Sequence, residues 1–359
     1  MTLRDQERSL EVKVYQTAGG AQVFQIPLQE FPILWGNVYL VLFDSAEGVP
    51  YRVLIDTGSG IGDSNDHLIH GLASVSTLTG TPINLSDLTH VFITHGHIDH
   101  FGGLTFVRPQ TQARLGVHEL DLRNLTNYEE RLTLVAWRLE EFLREGGLDV
   151  DQRARVIELY KITKSMFRSV GVDFTYEACG MRVGPFEILH VPGHCAGHVV
   201  IRLHDVLFSG DHILAHTSPH QSPEHLTMFT GLEHYLQSLD TLEAWSGGIR
   251  LTFGGHEDPI TDLKARIQQI RSLHQQRLGK VLGFLEQPHT VLEVSKELFG
   301  EVHGYNVLLA LEEAGAHIEY LYQRGLLEIQ NLAELERTNG NAPLHYRRLA
   351  DIGCQPPGG

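Results

Sequence analysis

The feature that most constrains this sequence is the heptapeptide THGHIDH at residues 94–100, which directly follows a short apolar strand. It contains four potential metal ligands within six residues: His95, His97, Asp99 and His100. Where a strand ends in a loop, both imidazoles of a His-x-His pair can point to one side, and the aspartate and last histidine can turn toward a second centre. Imidazole nitrogens and carboxylate oxygens are ligands that zinc and similar borderline metals favour. The heptapeptide therefore predicts a metal site at the end of a strand.

Three single residues further along the chain extend this pattern. His194 lies in the turn sequence HVPGHCAGH, Asp211 ends the strand VLFSGD, and His256 follows the strand IRLTFGG. Each is expected at the carboxyl end of a strand, where open α/β architectures place their binding sites. Alone, each has an ordinary interpretation as a loop histidine or a turn aspartate. In ordered succession after the heptapeptide, the three residues indicate further ligands of the same site.

The composition excludes several classes of protein. The chain has 359 residues, of which 42% are hydrophobic and 20% charged, as in a globular protein. This length favours two or three domains, or one large domain with an appendage. Its 28 basic and 44 acidic residues give a net charge of −16, which disfavours a general binder of phosphate backbones. Nucleic acid is therefore not the expected partner.

The cysteine content and the hydrophobic segments bear on the compartment. Three cysteines, Cys179, Cys195 and Cys354, are too few for a disulfide framework, which favours a reducing environment. The opening residues MTLRDQERSLEVKV contain no apolar segment of signal-peptide length. No run approaches the roughly 18 apolar residues of a membrane span. These features predict a cytoplasmic protein that does not enter the membrane.

The order of the predicted elements favours an α+β fold. Strand-like runs dominate residues 12–55 and return after residue 181, and the region between them includes a long stretch with helical apolar spacing. Two helices and a closing hairpin of winged-helix proportions are expected in the last third of the chain. The predicted domains are a catalytic domain at 12–260 with a helical insertion at 119–175, a winged-helix-like domain at 261–335 and a mobile tail at 336–359.

The metal-site pattern, together with the sequence DTG at residues 56–58, resembles the metallo-β-lactamase superfamily. The similar branch comprises binuclear hydrolases, including glyoxalase II-like thioesterases, lactonases and some nucleases. The resemblance covers about residues 20–260 and implies an αββα sandwich, in which two sheets pack face to face with helices outside. It implies a first metal site of His95, His97 and His194, a second of Asp99, His100 and His256, and Asp211 as the carboxylate that bridges both ions. It also implies that Asp56 orients a ligand histidine, since a carboxylate bonded to an imidazole fixes its tautomer.

The same resemblance implies a hydrolase with two Zn²⁺ ions, although nitrogen and oxygen ligands leave iron or manganese open. Two divalent cations and two ligand carboxylates leave a positive charge, which favours a hydroxide that bridges the ions at neutral pH. This hydroxide would attack a polarised carbonyl or phosphoryl centre, with Asp99 as the catalytic proton shuttle. The leading prediction is cleavage of a carboxylic thioester, ester or lactone.

Two other functions stay open. A phosphodiesterase or ribonuclease would use the same metal chemistry, but the acidic net charge and the lack of an evident basic channel disfavour it. A non-catalytic metal-binding protein that acts through its C-terminal domain is disfavoured by the complete ligand set. Hydrolysis of β-lactams is not expected, because that role calls for an exported enzyme. The predicted partner is a small molecule, and a homodimer is left open because apolar residues of the insertion could be buried between subunits.

The C-terminal segment, at about 262–335, resembles the small winged-helix-like domain appended to a subset of this superfamily. Its 7 basic and 10 acidic residues make it acidic, whereas a DNA-reading winged helix is normally basic. The helix predicted at 264–280 is the basic exception. It is interpreted either as a solvated helix face or as an anchor for an anionic substrate, such as a coenzyme A, glutathione or nucleic-acid phosphate group.

Three residues near the pattern have ordinary interpretations. Cys195 stands where Ser or Thr is common in the resembled family, and it is expected to fill a small pocket rather than to tune the site. His212 adjoins Asp211 and is therefore expected near the site. Tyr235 could donate a hydrogen bond to a substrate carbonyl, but no local motif supports that role, so a core tyrosine is favoured.

Overall fold

The computed structural model describes residues 9–349 and contains two large β-sheets. The first sheet has seven strands in chain order. They are β1 (Lys13–Gln16), β2 (Gln22–Phe31), β3 (Leu34–Asp44), β4 (Pro50–Ile55), β5 (His90–Phe92), β6 (Arg114–Val117) and β7 (Phe174–Thr175). Strands β1 to β4 pair antiparallel, whereas β4 to β7 pair parallel, so the carboxyl ends of the parallel strands meet at one edge.

The second sheet has five strands, and consecutive strands are again neighbours in the sheet. They are β8 (Arg182–Val183), β9 (Phe186–His190), β10 (Val199–Leu203), β11 (Val206–Gly210) and β12 (Leu251–Gly254). Neighbouring strands are antiparallel except for β11 and β12, which run parallel. The ends of β11 and β12 therefore lie side by side, which brings the residues that follow them close together.

The helices occupy the segments between and after the strands. They are α1 (Ser64–Thr79), α2 (Ile98–Phe101), α3 (Leu104–Val107), α4 (Glu119–Thr126), α5 (Tyr128–Glu145), α6 (Val150–Lys164), α7 (Leu232–Trp245), α8 (Leu263–Phe284), α9 (Val291–Phe299), α10 (Asn306–Gln323) and α11 (Leu332–Arg337). A third sheet consists of β13 (Leu327–Ile329) and β14 (Tyr346–Arg348), which are antiparallel.

The two large sheets pack face to face around one hydrophobic core. Val41 and Val53 from the first sheet and Ile201 and Phe208 from the second are all buried in it. On the outer face of the first sheet, α1 packs against β2 through a buried stripe at helical spacing. The members of this stripe are Leu68, Leu72 and Val75. The predicted α+β sandwich with outer helices is therefore confirmed.

The chain divides into two compact units whose boundaries differ from the predicted domains. The sandwich unit consists of the segment up to Glu129 together with Phe167–Pro219 and Leu239–Ile267. The helical unit consists of Glu130–Met166, His220–Ser238 and the segment from Gln268 onward. Much of the predicted insertion at 119–175 thus groups with the C-terminal segment rather than with the catalytic domain at 12–260.

The reason for this grouping is a shared hydrophobic core in the helical unit. Leu139 and Phe142 of α5 are buried together with Val294 of α9 and with Leu311 and Ile318 of α10. Helices α8 to α10 and the β13–β14 pair supply the types of element that a winged-helix domain contains, with α11 between the two strands. The winged-helix assignment at 261–335 stays a prediction.

The predicted mobile tail at 336–359 differs from the structure in its described part. Residues 346–348 form β14, and its register runs from Leu327 opposite Arg348 to Ile329 opposite Tyr346. The backbone of Tyr346 also exchanges two hydrogen bonds with His289, at 3.0 and 2.8 Å. These paired backbone groups hold the segment although its composition is rich in Pro and Gly. Residues 350–359, including Cys354, lie outside the described residues.

Residues 9–349 contain neither a membrane-spanning helix nor a disulfide. No helix there is both long and apolar enough to cross a membrane. No disulfide forms in this part of the chain, where Cys179 is partly buried and Cys195 is buried.

Candidate metal centre

The heptapeptide is positioned by β5, whose residues Val91 and Phe92 are buried in the first sheet. A short loop follows, and α2 begins after His97, which has an extended backbone. The loop after β4 holds this segment, because both the N–H and the hydroxyl of Thr57 donate to the carbonyl oxygen of His100, at 2.8 and 3.0 Å. The parallel pairing of β4 and β5 therefore brings two loops together at the edge of the sheet.

The first group of candidate ligands is formed by three histidines. His95 Nε2 and His97 Nδ1 lie 3.1 Å apart. His194, from the loop between β9 and β10, completes the group, and its ring centroid is 4.6 Å from that of His97. One nitrogen from each of the three residues lies within 4.8 Å of the others. The structure thus brings together the three residues that were predicted as the first metal site.

The second group combines two histidines with two carboxylates: Asp99, His100, Asp211 and His256. Asp99 Oδ2 lies 3.4 Å from His256 Nε2 and 4.0 Å from His100 Nε2. Gly255 allows the close approach of the chain after β12, because a Cβ at this position would lie 2.5 Å from Asp211 Oδ1. All four residues of this group were predicted for the second site or as its bridge.

Asp211 lies between the two groups. Its Oδ1 is 3.4 Å from His100 Nε2, and its Oδ2 is 3.4 Å from His256 Nε2. The same Oδ2 is 3.8 Å from His194 Nε2 of the first group. The two oxygens of this carboxylate therefore lie within 3.8 Å of imidazole nitrogens from both groups.

The donor atoms fit metal ions. Within the described residues, His100 Nε2 and Asp211 Oδ1 are buried and have no hydrogen-bond partner. The other ring nitrogen of each second-group histidine is engaged: His100 Nδ1 donates to Asp56 Oδ2 at 2.8 Å, and His256 Nδ1 donates to the carbonyl of Trp35 at 2.7 Å. Both bonds engage Nδ1 and direct Nε2 at the centre, as in metal-ligating histidines.

Protonation equilibria in the second group indicate a site that favours positive charge. Burial disfavours the charged imidazole of His100, but the carboxylates of Asp211 and Asp56 outweigh it and raise its pKa well above the ordinary value. Burial also lowers the pKa of His256, but the carboxylates of Asp211 and Asp99 outweigh burial and raise this pKa well above the ordinary value. A cation between these carboxylates would meet the same electrostatic field.

Two buried residues beside the ligand groups were given no role by the sequence. The His198 ring stacks on His95 with centroids 4.5 Å apart, and its Nε2 accepts the backbone N–H of Asp211 at 3.1 Å. Glu30 accepts the N–H of Ser59 at 2.5 Å in the loop after β4, and burial raises its pKa to about 7. His198 follows His194 by four residues, and this spacing was the available signal; Glu30 lies in a strand with no motif.

A third cluster of potential ligands, in the helical unit, does not fit a metal ion equally well. His274, Glu313 and His317 are buried and close together. However, the Arg277 guanidinium donates to Glu313 Oε1 at 2.7 Å and already neutralises the single carboxylate. His274 Nδ1 and His317 Nε2 are 3.2 Å apart, which fits a hydrogen bond between two imidazoles. We assign this cluster to the core of the helical unit.

The structure also places the residues whose role the sequence left open. Tyr235 is fully buried in the helical unit with its ring edge toward His274, which agrees with a core tyrosine. His212 is fully buried beside His198, with ring centroids 5.8 Å apart. Cys195 is buried, and its thiol donates toward the carboxylate of Asp121 at 3.3 Å, so it does more than fill space.

The basic helix predicted at 264–280 lies within α8, and its cations include Arg266 and Arg277, which are engaged within the chain. Arg266 donates to the carbonyls of Leu214 and Thr217, at 2.6 and 2.8 Å. Arg277 binds Glu313, as described above. These two arginines are therefore occupied by partners within the chain.

Comparison with known proteins identifies a family. The family model described as "Metallo-beta-lactamase superfamily" matches residues 36–278, more than half of the chain. "Probable metallo-hydrolase YqjP" from Bacillus subtilis (strain 168) is 26% identical over 300 residues, which cover 79% of this chain and 86% of that protein. "Atrochrysone carboxyl ACP thioesterase dmxR1" from Cryptosporiopsis sp. (strain 8999) is 27% identical over 260 residues, covering 72% of this chain. The match spans 60% of the length of that thioesterase.

Solved structures share the fold. The metallo-beta-lactamase family protein TTHA1429 from Thermus thermophilus has a TM-score of 0.66 and 25% identity, with 91% of this chain and 98% of that chain covered. A beta-lactamase domain protein from Burkholderia ambifaria has a TM-score of 0.68 and 21% identity, with 94% of both chains covered. The coverage of both matches extends beyond the sandwich and includes most of the chain.

Proposed function

The chain belongs to the metallo-β-lactamase superfamily, and we propose that within this superfamily it is a binuclear hydrolase of carboxylic thioesters, with esters and lactones as related substrates. The observation that carries this proposal is the pair of ligand groups that share Asp211. A first group of three histidines and a second group with two histidines and two carboxylates offer separate places for two ions. Two Zn²⁺ ions suit these nitrogen and oxygen donors, with iron or manganese as alternatives that the metal analysis below distinguishes.

The chemistry that two bound ions would supply is a water of lowered pKa and Lewis acidity toward a carbonyl oxygen. The residues of the chain prepare the site for it. Asp56 and the Trp35 carbonyl fix the tautomers of His100 and His256, so that their Nε2 atoms face the centre. Asp211 supplies an oxygen to each side, and five of the seven donor residues are buried.

Asp99 is the proposed proton shuttle. Its carboxylate lies within 3.4 Å of His256 Nε2, and its side chain is slightly exposed, so a substrate or water can reach it. Burial raises its pKa, but His100 and His256 outweigh burial and hold it well below the ordinary value. The carboxylate is therefore ionised at neutral pH and can accept a proton and pass it to a leaving group.

The choice of a thioester rests on two observations. A similar protein is named as an ACP thioesterase, and for this reason we would test thioesters first. The net charge of −16 and the engaged arginines of α8 disfavour a polyanionic substrate such as RNA.

The test is a hydrolysis assay with the full chain after reconstitution with Zn²⁺, Mn²⁺ or Fe²⁺. The panel contains an acyl thioester, its oxygen-ester analogue, a lactone and single-stranded RNA, each with and without a chelator. His97→Ala should lower turnover by about 100-fold or more, because it removes a first-group ligand. His303→Ala, which changes an exposed histidine outside both ligand groups, is the matched control and should keep wild-type turnover.

Chelator-sensitive cleavage of the carbonyl compounds, with RNA intact, would support the proposal. The reconstitution that restores the highest turnover with two ions per chain would identify the suitable metal. Cleavage of RNA alone would overturn the substrate class, and full turnover of His97→Ala would overturn the site.

A further inference from the structure

Asp121 is a fully buried carboxylate in the first turn of α4. Its Oδ2 accepts the backbone N–H of Gly96 at 2.7 Å, and its Oδ1 accepts the backbone N–H of Gly197 at 3.1 Å. Asn124 Nδ2 donates to the same Oδ1 at 2.9 Å. A buried carboxylate is costly unless it receives hydrogen bonds, and here the bonds come from two separate loops.

Both loops carry histidines of the first ligand group. Gly96 lies between His95 and His97, and Gly197 follows His194 by three residues. The sequence separations from Asp121 are 25 and 76 residues, so this side chain joins distant segments, in addition to the backbone bond from the Val199 N–H to the Thr94 carbonyl. One side chain therefore links the backbone segments from which all three imidazoles of the first group extend.

The packing at both contacts leaves little freedom. A Cβ at Gly96 would lie 2.5 Å from Asn124 Nδ2, and a Cβ at Gly197 would lie 2.6 Å from Asp121 Cγ. Either distance is far inside van der Waals contact, so the loops can approach α4 this closely only as glycines. The bonds from Gly96 and Gly197 to Asp121 therefore depend on glycine at both positions.

The helix that carries Asp121 is itself fixed at its N-terminus. His118 Nδ1 accepts the N–H of Leu120 at 3.2 Å and caps the helix. Glu177 accepts the N–H of Glu119 at 3.1 Å. These two bonds satisfy amides that the helix leaves unpaired, and they hold the first turn of α4 in place.

Cys195 adds a side-chain donor to the same carboxylate. Its thiol lies 3.3 Å from both oxygens of Asp121, directly after the ligand His194 in sequence. A serine or threonine hydroxyl, which is common at this position in the resembled family, would be able to donate to the same acceptor. The departure to cysteine therefore keeps a donor and weakens it.

We propose that Asp121 is a positioning residue that sets the geometry, and hence the metal affinity, of the His95–His97–His194 group through Gly96, Gly197 and Cys195. This inference rests on the proposed function, because it assumes that the group holds an ion. The three histidines are neutral ligands, so the negative charge of Asp121 behind them also favours a cation in front. Asp121 acts through the backbone of the ligand loops and takes no part in the chemical step.

The test compares the full-length Asp121→Asn variant with wild type by titration with Co²⁺ and Zn²⁺ against a chromophoric chelator. We expect one of the two ions to bind about 10–100-fold more weakly, with the other unchanged, because an asparagine cannot accept from both loops. The visible absorption of the Co²⁺ protein should change at the weakened site. Asp173→Asn, which changes a carboxylate that accepts the N–H of Leu115, is the matched control and should bind both ions normally.

Cys195 variants provide a second measurement that does not disturb the two backbone bonds. Cys195→Ala should lower the affinity for the same ion by a smaller factor than Asp121→Asn does. Cys195→Ser should bind this ion at least as tightly as the wild type, since the hydroxyl is the stronger donor. If Asp121→Asn fails to fold, the affinities of Cys195→Ala and Cys195→Ser alone test the inference. A merely structural role would lower the melting temperature of the metal-free protein without changing the Co²⁺ spectrum.

Two outcomes separate this inference from the proposed function. If wild type binds two ions and Asp121→Asn binds both with the same affinity and spectrum, the inference is wrong and the proposed function stands. If wild type binds no ion tightly, the proposed function fails and this inference fails with it.

Discussion

Asp56 combines an unusual backbone conformation with three hydrogen bonds. It has a φ of 60°, a left-handed conformation that aspartate and asparagine tolerate better than most residues. Its carboxylate accepts the N–H of Thr94, the hydroxyl of Thr94 and the Nδ1–H of His100, each at 2.8 Å. A single residue therefore fixes both the tautomer of His100 and the position of the residue before His95.

Replacement of Asp56 by asparagine isolates these hydrogen bonds, because asparagine keeps the shape and tolerates the backbone conformation. We expect metal affinity to fall about 10–100-fold. The free energy of unfolding of the metal-free protein should fall by about 1–3 kcal/mol, because an amide NH₂ would face buried donors. Chelator competition and urea unfolding measure the two effects. The exposed Asp44→Asn is the control, and a variant with unchanged metal affinity would contradict the orienting role of Asp56.

The sequence predicted all seven side chains that the structure brings into the two ligand groups. Four of them lie within one heptapeptide, and the other three follow strands in an order that the resembled family shares. Asp121 escaped prediction for a physical reason. The two glycines that bind it lie 25 and 76 residues away, and a lone carboxylate has no local pattern that separates it from a solvated residue.

At the scale of elements, α8 and α10 face each other through buried imidazoles. His274 of α8 and His317 of α10 are both fully buried and stack with centroids 5.3 Å apart. Burial lowers the pKa of His274 to about 3, and it also lowers the pKa of His317. Both imidazoles are therefore neutral in the folded protein at neutral pH.

These lowered pKa values predict that acid destabilises the helical unit. The unfolded chain binds protons at these histidines below about pH 6.5, whereas folded His274 does not until about pH 3, so the free energy of unfolding falls as the pH drops through this window. For one such group the loss between pH 7 and pH 5 is about 2 kcal/mol. Urea unfolding at both pH values measures it.

His274→Gln removes one titrating group and should reduce the loss on acidification. The exposed His303→Gln is the matched control and should keep the wild-type pH dependence. Equal pH dependence in wild type and His274→Gln would show that this imidazole does not titrate as its burial requires.

Helical periodicity predicted the elements of the insertion but not their partners. The apolar positions of α5, including Leu139 and Phe142, were expected from their spacing, and the structure buries them. A periodic pattern states which face of a helix is buried and not which surface buries it. The grouping of α5 with α9 and α10 and the pairing of Tyr346 in β14 both depend on contacts between distant residues, so composition and spacing did not indicate them.

At the scale of the whole molecule, all seven candidate ligands belong to the sandwich unit. Metal removal should therefore destabilise this unit selectively. Ions that bind only the folded state stabilise it by about 2.7 kcal/mol at a free concentration of 100 times Kd. Hydrogen exchange with and without a chelator should show faster exchange around β5, β11 and β12, with α9 and α10 unchanged. Acceleration of equal size in both units would contradict this assignment.

The sandwich could be predicted from the sequence because the resemblance supplied its layers and the strands followed β-branched runs. The division into two units could not. The division follows from which segments share a hydrophobic core. Nothing in the sequence indicates that Leu139 and Leu311 lie in the same core. The predicted boundary near residue 260 marks a change in composition, whereas the observed boundaries follow packing.

The helical unit is assembled from three stretches of chain that are distant in sequence, and this has a consequence for synthesis. Leu139 enters the ribosomal exit tunnel about 170 residues before Leu311, its neighbour in the mature core. At 5–20 residues per second this interval lasts about 10–30 s. During that time the apolar face of α5 lacks the C-terminal helices that later cover it. The yield of native protein in a cell will therefore depend on how well chaperones shield this helix while translation continues.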